Sequence, residues 1–206
     1  MHIKRIFDFT LSVLGLLLFS PVLLSCAIIV KLASPGPVFY RGERAGLYGK
    51  IFRTYKFRSM VVDAEKRGGA STHDADARIT GIGAFLRRFK LDELPQLINV
   101  LLGDMSFVGP RPEVKKFVDM YTPKERIILT VRPGITDWSS IKFHNEGEII
   151  AASGIADADQ AYTKLIRPEK LRLQMKYVRE RTLWLDIKII YDTISTLFRT
   201  RSPLKL

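Results

Sequence analysis

The sequence predicts an α+β chain, mainly helical with one small β-hairpin, whose first 33 residues form a bent helix in a membrane. Three observations lead there. Phe9 to Val30 carries no charged residue but holds Pro21 near its middle. Two stretches between Pro37 and Phe57 alternate apolar and polar residues around a turn at Gly46–Gly49. Apolar residues then recur at three-and-four spacing from Ile79 to Phe89 and again near the C terminus.

The apolar segment meets the length requirement of a spanning helix. Pro21 removes a helical hydrogen bond there, and the Ser20 hydroxyl can satisfy backbone that a kink frees. Lys4 and Arg5 precede the segment, and Lys31, Arg41, Arg44 and Lys50 follow it. Cationic flanks prefer the cytoplasmic side. A helix that dips into the bilayer, bends at Ser20-Pro21 and returns keeps both flanks there. A straight span or a cleaved signal are the other readings. "LLSC" at 23–26 imitates a lipoprotein processing box, but Cys26 reads as a small apolar residue. Residues 1–33 are therefore taken as a re-entrant, monotopic anchor and 34–206 as a domain on the cytoplasmic face.

Pro35, Gly36 and Pro37 stop the anchor, and "VFYRG" and "KIFRTYKF" form the hairpin. Residues 61–78 predict a helical start and then a mobile loop, either a lid or plain surface. A helix follows over 79–91, a second over 96–105 ending at Gly103, and a third within 113–131. "FVGPRP" (107–112) and "VRPGITDW" (131–138) read as extended or turn-like, because each proline restricts its predecessor. Tyr177, Trp184, Tyr191 and Phe198 recur every seven residues. That stripe suits a core helix or an amphipathic helix lying in the membrane interface.

With 33 Lys and Arg against 21 Asp and Glu, the net charge of +12 favours an anionic partner. The cations intersperse with acids and no nucleic-acid module is visible, so nucleic acid is set aside. One cysteine excludes an internal disulfide, and three scattered histidines argue against zinc. The chemistry concentrates in "RRFKLDELPQL" (87–97). Asp92 can cap the helix that starts near Pro95, where the dipole and nearby cations keep a carboxylate ionised. Phosphate binds at the same kind of end. Asp92 can then attack phosphorus, Glu93 can hold a magnesium ion, and Arg87 and Arg111 can clamp phosphate oxygens. Equally, the acids can be mere caps and Arg111 a structural salt-bridge partner.

These pieces resemble the small bacterial monotopic phosphoglycosyl transferases, also called polyprenyl-phosphate sugar-1-phosphate transferases or initiating sugar transferases. The resemblance rests on "KRIFD" (4–8), Ser20-Pro21, "SPGPVFYRGERAG" (34–46), "YKFRSM" (55–60), "LDELPQLINVLLGDMSFVGPRP" (91–112) and "VRPGIT" (131–136). It implies transfer of a sugar 1-phosphate from a UDP-sugar to a polyprenyl phosphate such as undecaprenyl phosphate, with release of UMP. It further implies a covalent intermediate on Asp92, Mg2+ associated with Glu93 and Asp92, and phosphate binding by Arg87 and Arg111. Lys56 and Arg58 would serve the same surface. Lys4, Arg5 and Asp8 would lie near the start of the re-entrant bend, on the cytoplasmic face of the bacterial inner membrane. Two departures stand out: Asp137 before Trp138, and His144-Asn145, both where sugar or nucleotide selection is expected. Direct magnesium-assisted transfer and a non-catalytic basic membrane scaffold are the competing readings.

Overall fold

The computed structural model describes residues 2–73 and 76–199. Helix α1 (His2–Leu18) and helix α2 (Ser20–Ala33) form the N-terminal pair, bent by 63° at the break. The bend has a local cause. Pro21 offers no N–H to the Leu17 carbonyl, and Ser20 Oγ donates to that carbonyl instead, at 2.8 Å. No single described helix is long and apolar enough to cross a membrane, although this bent pair has the length and composition.

Both helices are gripped by the rest of the chain. On α2, Cys26 and Val30 are buried with Phe57 and Leu86, as the apolar reading of Cys26 requires. On α1, Lys4 pairs with Asp186 and donates to the Val108 carbonyl at 3.1 Å. Arg5 donates to the carbonyls of Val100 and Leu101, and Asp8 accepts from Ser106 Oγ and the Phe107 amide. The opposite sides of both helices remain exposed, through Leu14, Leu17, Leu18, Leu24 and Leu32.

The predicted hairpin forms in two parts. Strand β1 (Phe39–Tyr40) pairs antiparallel with β4 (Lys56–Phe57), and β2 (Glu43–Ala45) with β3 (Ile51–Arg53). One register runs through both parts, Phe39 facing Phe57 and Glu43 facing Arg53. The Thr54 amide bridges the interruption by donating to the Gly42 carbonyl. The turn closes at Leu47–Gly49, with Tyr48 and Gly49 at positive φ.

Helix α3 (Gly81–Arg88) is capped by the Thr80 hydroxyl. Helix α4 (Gln96–Leu102) ends where Gly103 adopts φ 90°, as expected. The helix predicted within 113–131 is broken. Only α5 (Lys115–Val118) and a 3-10 segment, Glu125–Thr130, form, because Pro123 interrupts the run and Thr122 with Glu125 makes a fresh cap. The helical start predicted after residue 61 is one 3-10 turn, Ala64–Arg67. Part of the following loop is tied down: Asp159 accepts from the Ser71 amide at 2.7 Å. Residues 74 and 75, at the centre of the predicted mobile loop, lie outside the described residues.

The two proline-rich stretches do more than turn. β5 (Ser106–Val108) and β6 (Gly134–Thr136) pair in parallel, Ser106 with Gly134 and Val108 with Thr136. Their backbones approach so closely that a Cβ on Gly134 would meet the Gly109 nitrogen at 2.1 Å. Helices α6 (Trp138–Lys142), α7 (Glu146–Ala152) and α8 (Ala158–Ala161) lead into α9 (Arg167–Glu180). α10 (Leu183–Arg199) follows a break at Arg181–Thr182.

That break overturns the single heptad stripe. Tyr177 is fully buried on α9, whereas Trp184 and Tyr191 are 77% and 69% exposed on α10. Helix α10 has two apolar faces: Leu185, Ile189 and Ile190 pack inward, while Trp184, Ile187, Tyr191 and Ile194 face out. The side chains of Leu197 and Phe198 lie outside the described residues.

Candidate active site

Asp92 and Glu93 sit in a 3-10 turn, Leu91–Glu93, entered through Lys90 at φ 56°. The left-handed residue turns the chain sharply out of α3, so the last turn of α3 faces the acids across the corner. Arg87 lies there, half-buried, and together with Lys90 it favours the charge on Asp92. Asp92, Glu93, Arg87, Lys90, Lys56 and Arg111 line one large cleft. His144, Asn145 and Lys170 line it as well.

Glu93 is the hub. Lys56, on β4, donates to Glu93 Oε1 at 2.7 Å, and Arg111 donates to the same oxygen. The other arm of the Arg111 guanidinium donates to the Ile135 carbonyl at 2.8 Å. Pairing of β5 with β6 makes this possible, because it brings "GPRP" alongside "PGIT". Burial opposes the charge on Glu93, but Arg111 and Lys56 outweigh it and hold the carboxyl well below the usual carboxylate range. Burial likewise pulls the Lys56 ammonium down.

Asp92 behaves differently. It does not cap α4: Pro95 occupies the cap position and no side chain bonds there. Only 7% of the residue is exposed, and Oδ1 is buried without a hydrogen-bond partner. Burial pushes its carboxyl up, Glu93 adds to that, and Lys56, Arg87 and Lys90 pull the other way. The expectation of a carboxylate favoured by a helix end is thus replaced by two adjacent acids in opposed environments, one compensated and one under-compensated. Such a split, in a cleft, makes the pair a functional-site candidate.

Arg58 also lines the cleft, but it makes no hydrogen bond to either acid. It donates to the carbonyls of Pro35 and Ser34 and to Ser34 Oγ, closing the end of α2. Gly36 sits against its guanidinium at φ 124°, a backbone conformation that strains any residue with a side chain, and a Cβ there would also lie 1.9 Å from Nη1. Asp137 is also structural. It is fully buried and caps α6 through the Ser140 amide and the Ser139 and Ser140 hydroxyls. Of the two departures, only His144-Asn145 reaches the cleft. Lys90 belongs to the run of cations that the sequence places before the acids, whereas Asn99, the brace of the corner, was missed. Asn99 accepts from the Tyr55 amide at 2.8 Å and donates to the Arg53 carbonyl at 2.9 Å, holding the hairpin against α4. Its signal, a polar residue on the buried side of an apolar helix, was present in "QLINVLL".

Among the described residues no group of three or more His, Cys, Asp or Glu converges. Asp92 and Glu93 still suit a magnesium ion, which keeps several waters and substrate phosphates and takes one or two protein carboxylates.

A helical body with a bent apolar pair at its start gathers two adjacent acids and the cations Arg87, Lys90, Lys56 and Arg111 in one cleft, the kinds of group that phosphate chemistry uses. The chain belongs to the bacterial sugar transferase family, whose pattern matches residues 1–200. It is 39% identical over 198 residues to a "UDP-N-acetylgalactosamine-undecaprenyl-phosphate N-acetylgalactosaminephosphotransferase" of Aeromonas hydrophila, covering 95% of this chain and 43% of that protein. It is 39% identical over 199 residues to a "UDP-glucose:undecaprenyl-phosphate glucose-1-phosphate transferase" of Escherichia coli (strain K12), covering 93% and 39%. A protein of the same name from Caulobacter vibrioides is 34% identical over 200 residues, covering 96% and 70%. The chain thus spans about two-fifths of the length of the first two relatives.

Proposed function

We propose that this chain transfers a sugar 1-phosphate from a UDP-sugar to a polyprenyl phosphate, through a covalent intermediate on Asp92. The observation that carries the proposal is the pairing of an under-compensated Asp92 with a cation-bound Glu93 in a cleft that Arg87, Lys90, Lys56 and Arg111 also line. Phosphoryl transfer needs positioning and charge neutralisation more than covalent help from many groups. Arg87, Lys90 and Arg111 meet the diphosphate beside Asp92, while Lys56 and Arg111 also hold Glu93 ionised and in place.

In the first step an Asp92 carboxylate oxygen bonds to the sugar-bearing phosphorus, and the bond from that phosphorus to the bridging oxygen breaks. The electron pair leaves with UMP. In the second step an oxygen of the polyprenyl phosphate attacks the same phosphorus, the aspartyl bond breaks, and the carboxylate is regenerated with the lipid-linked diphosphate sugar. Asp92 and Glu93 would hold Mg2+, which when bound neutralises charge on the diphosphate.

The site is proposed to work at the cytoplasmic face of the bacterial inner membrane. The exposed apolar sides of α1 and α2, with Trp184 and Tyr191 on α10, suit a bent anchor and an interfacial helix. The acceptor is lipid and the donor is water-soluble, so the acids belong where the two phases meet.

The test is UMP release from a panel of UDP-sugars in the absence of lipid, with intact-protein mass. One equivalent of UMP and a matching mass increase are expected, and both vanish in Asp92→Asn. UMP released only when lipid is present, with no mass increase, would reject the covalent route. No release from any UDP-sugar, with lipid present, would reject the reaction.

A further inference from the structure

Buried polar atoms in folded proteins are almost always hydrogen-bonded. Among the described residues, five buried side-chain atoms lack a partner, and three of them fall within one turn: Asp92 Oδ1, Gln96 Nε2 and Gln96 Oε1. Gln96 is 0% exposed. The backbone is already helical at Leu94 and Pro95, so positions 92 and 96 share a face. Three residues on, Asn99 has both ends of its amide taken up by the hairpin. Gln96, on the same buried side, has neither end taken up. A carboxamide with an open donor therefore stands one turn behind a carboxylate with an open acceptor, a spacing at which Gln and Asp side chains meet.

We infer that Gln96 is a positioning residue for the transfer reaction. The two atoms are not bonded to each other as they stand, so the carboxamide N–H holds Asp92 Oδ1 from inside the protein through one enclosed water or after rotation of the Gln96 side chain, and so turns Oδ2 to the cleft as the attacking oxygen. Without that hold, Asp92 rotates about its terminal torsion, a broad two-fold well that imposes little preference of its own. Nothing in the motif demands an amide here for packing, since α4 is otherwise apolar on its buried side apart from Asn99. Gln96 does not line the cleft and need not touch either substrate.

The inference rests on the covalent reading of Asp92, and the experiment separates the two. Single-turnover UMP release from a UDP-sugar is measured without lipid for the full chain and for Gln96→Met, alongside the UDP-sugar KM and the melting temperature. Met preserves shape but leaves buried Asp92 Oδ1 without its donor, so a modest fall in melting temperature is expected. The single-turnover rate is expected to fall about 10- to 100-fold, the scale of a slightly misplaced reacting group, with KM within about twofold. Gln96→Asn keeps the amide but withdraws it by one methylene. It is expected to give an intermediate rate, and it decides the matter alone if the Met variant does not fold.

A rate within about threefold of the parent in the folded variant would overturn the inference and leave the covalent reaction intact. A slower rate accompanied by a KM raised in proportion, and by a Gln96→Asn variant no faster than Gln96→Met, would overturn it too, by making Gln96 a packing residue. Absence of UMP release from the parent chain would overturn the covalent reading itself, and this inference with it.

Discussion

Arg111 is where the structure makes the sharpest demand. One guanidinium arm donates to Glu93 and the other to the Ile135 carbonyl, so the residue is both a brace and, in the proposed reaction, a phosphate contact. In Arg111→Met the ion pair is lost, but Glu93 keeps Lys56 at 2.7 Å. Breaking a fully buried pair costs about 3–5 kcal/mol. Both side chains here are about one-fifth exposed and a second cation remains, so about 1–2 kcal/mol is expected from this part. The Ile135 carbonyl loses its donor, adding about 1 kcal/mol. The sum, about 2–3 kcal/mol, corresponds to a melting temperature lower by roughly 5–10 °C for a chain of this size.

Transfer should fall about 100-fold or more, the loss seen when one preorganised donor to a reacting oxyanion is removed. Arg111→Lys separates the roles. A single ammonium cannot fork to both partners, so it should recover part of the stability and little of the rate. Thermal unfolding and steady-state UMP release, measured on the same preparations, provide the check. A variant destabilised by the expected amount yet within about fivefold of the parental rate would refute the phosphate role and leave Arg111 as a brace only.

Two further outcomes follow from the same geometry. Asn99→Leu leaves the Tyr55 amide and Arg53 carbonyl unpartnered between hairpin and α4, and should cost about 2–4 kcal/mol by urea denaturation. A loss below about 1 kcal/mol would mean the hairpin does not depend on that amide. Tyr121 and Tyr162 both donate to buried Glu113, and burial followed by the Glu113 charge pushes both phenols well above the usual tyrosine value. Above a pH of about 10 the unfolded chain therefore binds fewer protons than the folded one, and stability falls as pH rises. Urea midpoints at pH 9 and pH 10.5 should show that fall, reduced in Glu113→Gln; equal slopes in both proteins would contradict it.

Local signals carried far along this chain. Ser20-Pro21 placed the bend and even its repair, because a missing N–H and a hydroxyl one residue away are matters of adjacent covalent structure. Gly46–Gly49 placed the hairpin turn, and Gly103 placed the end of α4. The helix expected within 113–131 is short, Lys115–Val118, and Pro123 separates it from the 3-10 segment Glu125–Thr130. The heptad stripe failed. Periodicity assumes one axis, and two helices meeting at Arg181–Thr182 send Tyr177 inward and Trp184 outward.

By itself, then, the sequence determined the helical class, the bent apolar start, the hairpin and the identity of the adjacent acids, because each depends on neighbours within a few residues. Only the tertiary structure decided what those acids experience. Lys56 and Arg111 reach one oxygen of Glu93 from positions 37 and 18 residues away. The parallel pairing of β5 with β6 delivers Arg111, Arg58 is drawn off to close α2, and Asp92 is left enclosed and under-compensated. Charge balance at a buried site is a sum over groups distant in the chain, and no local pattern encodes that sum.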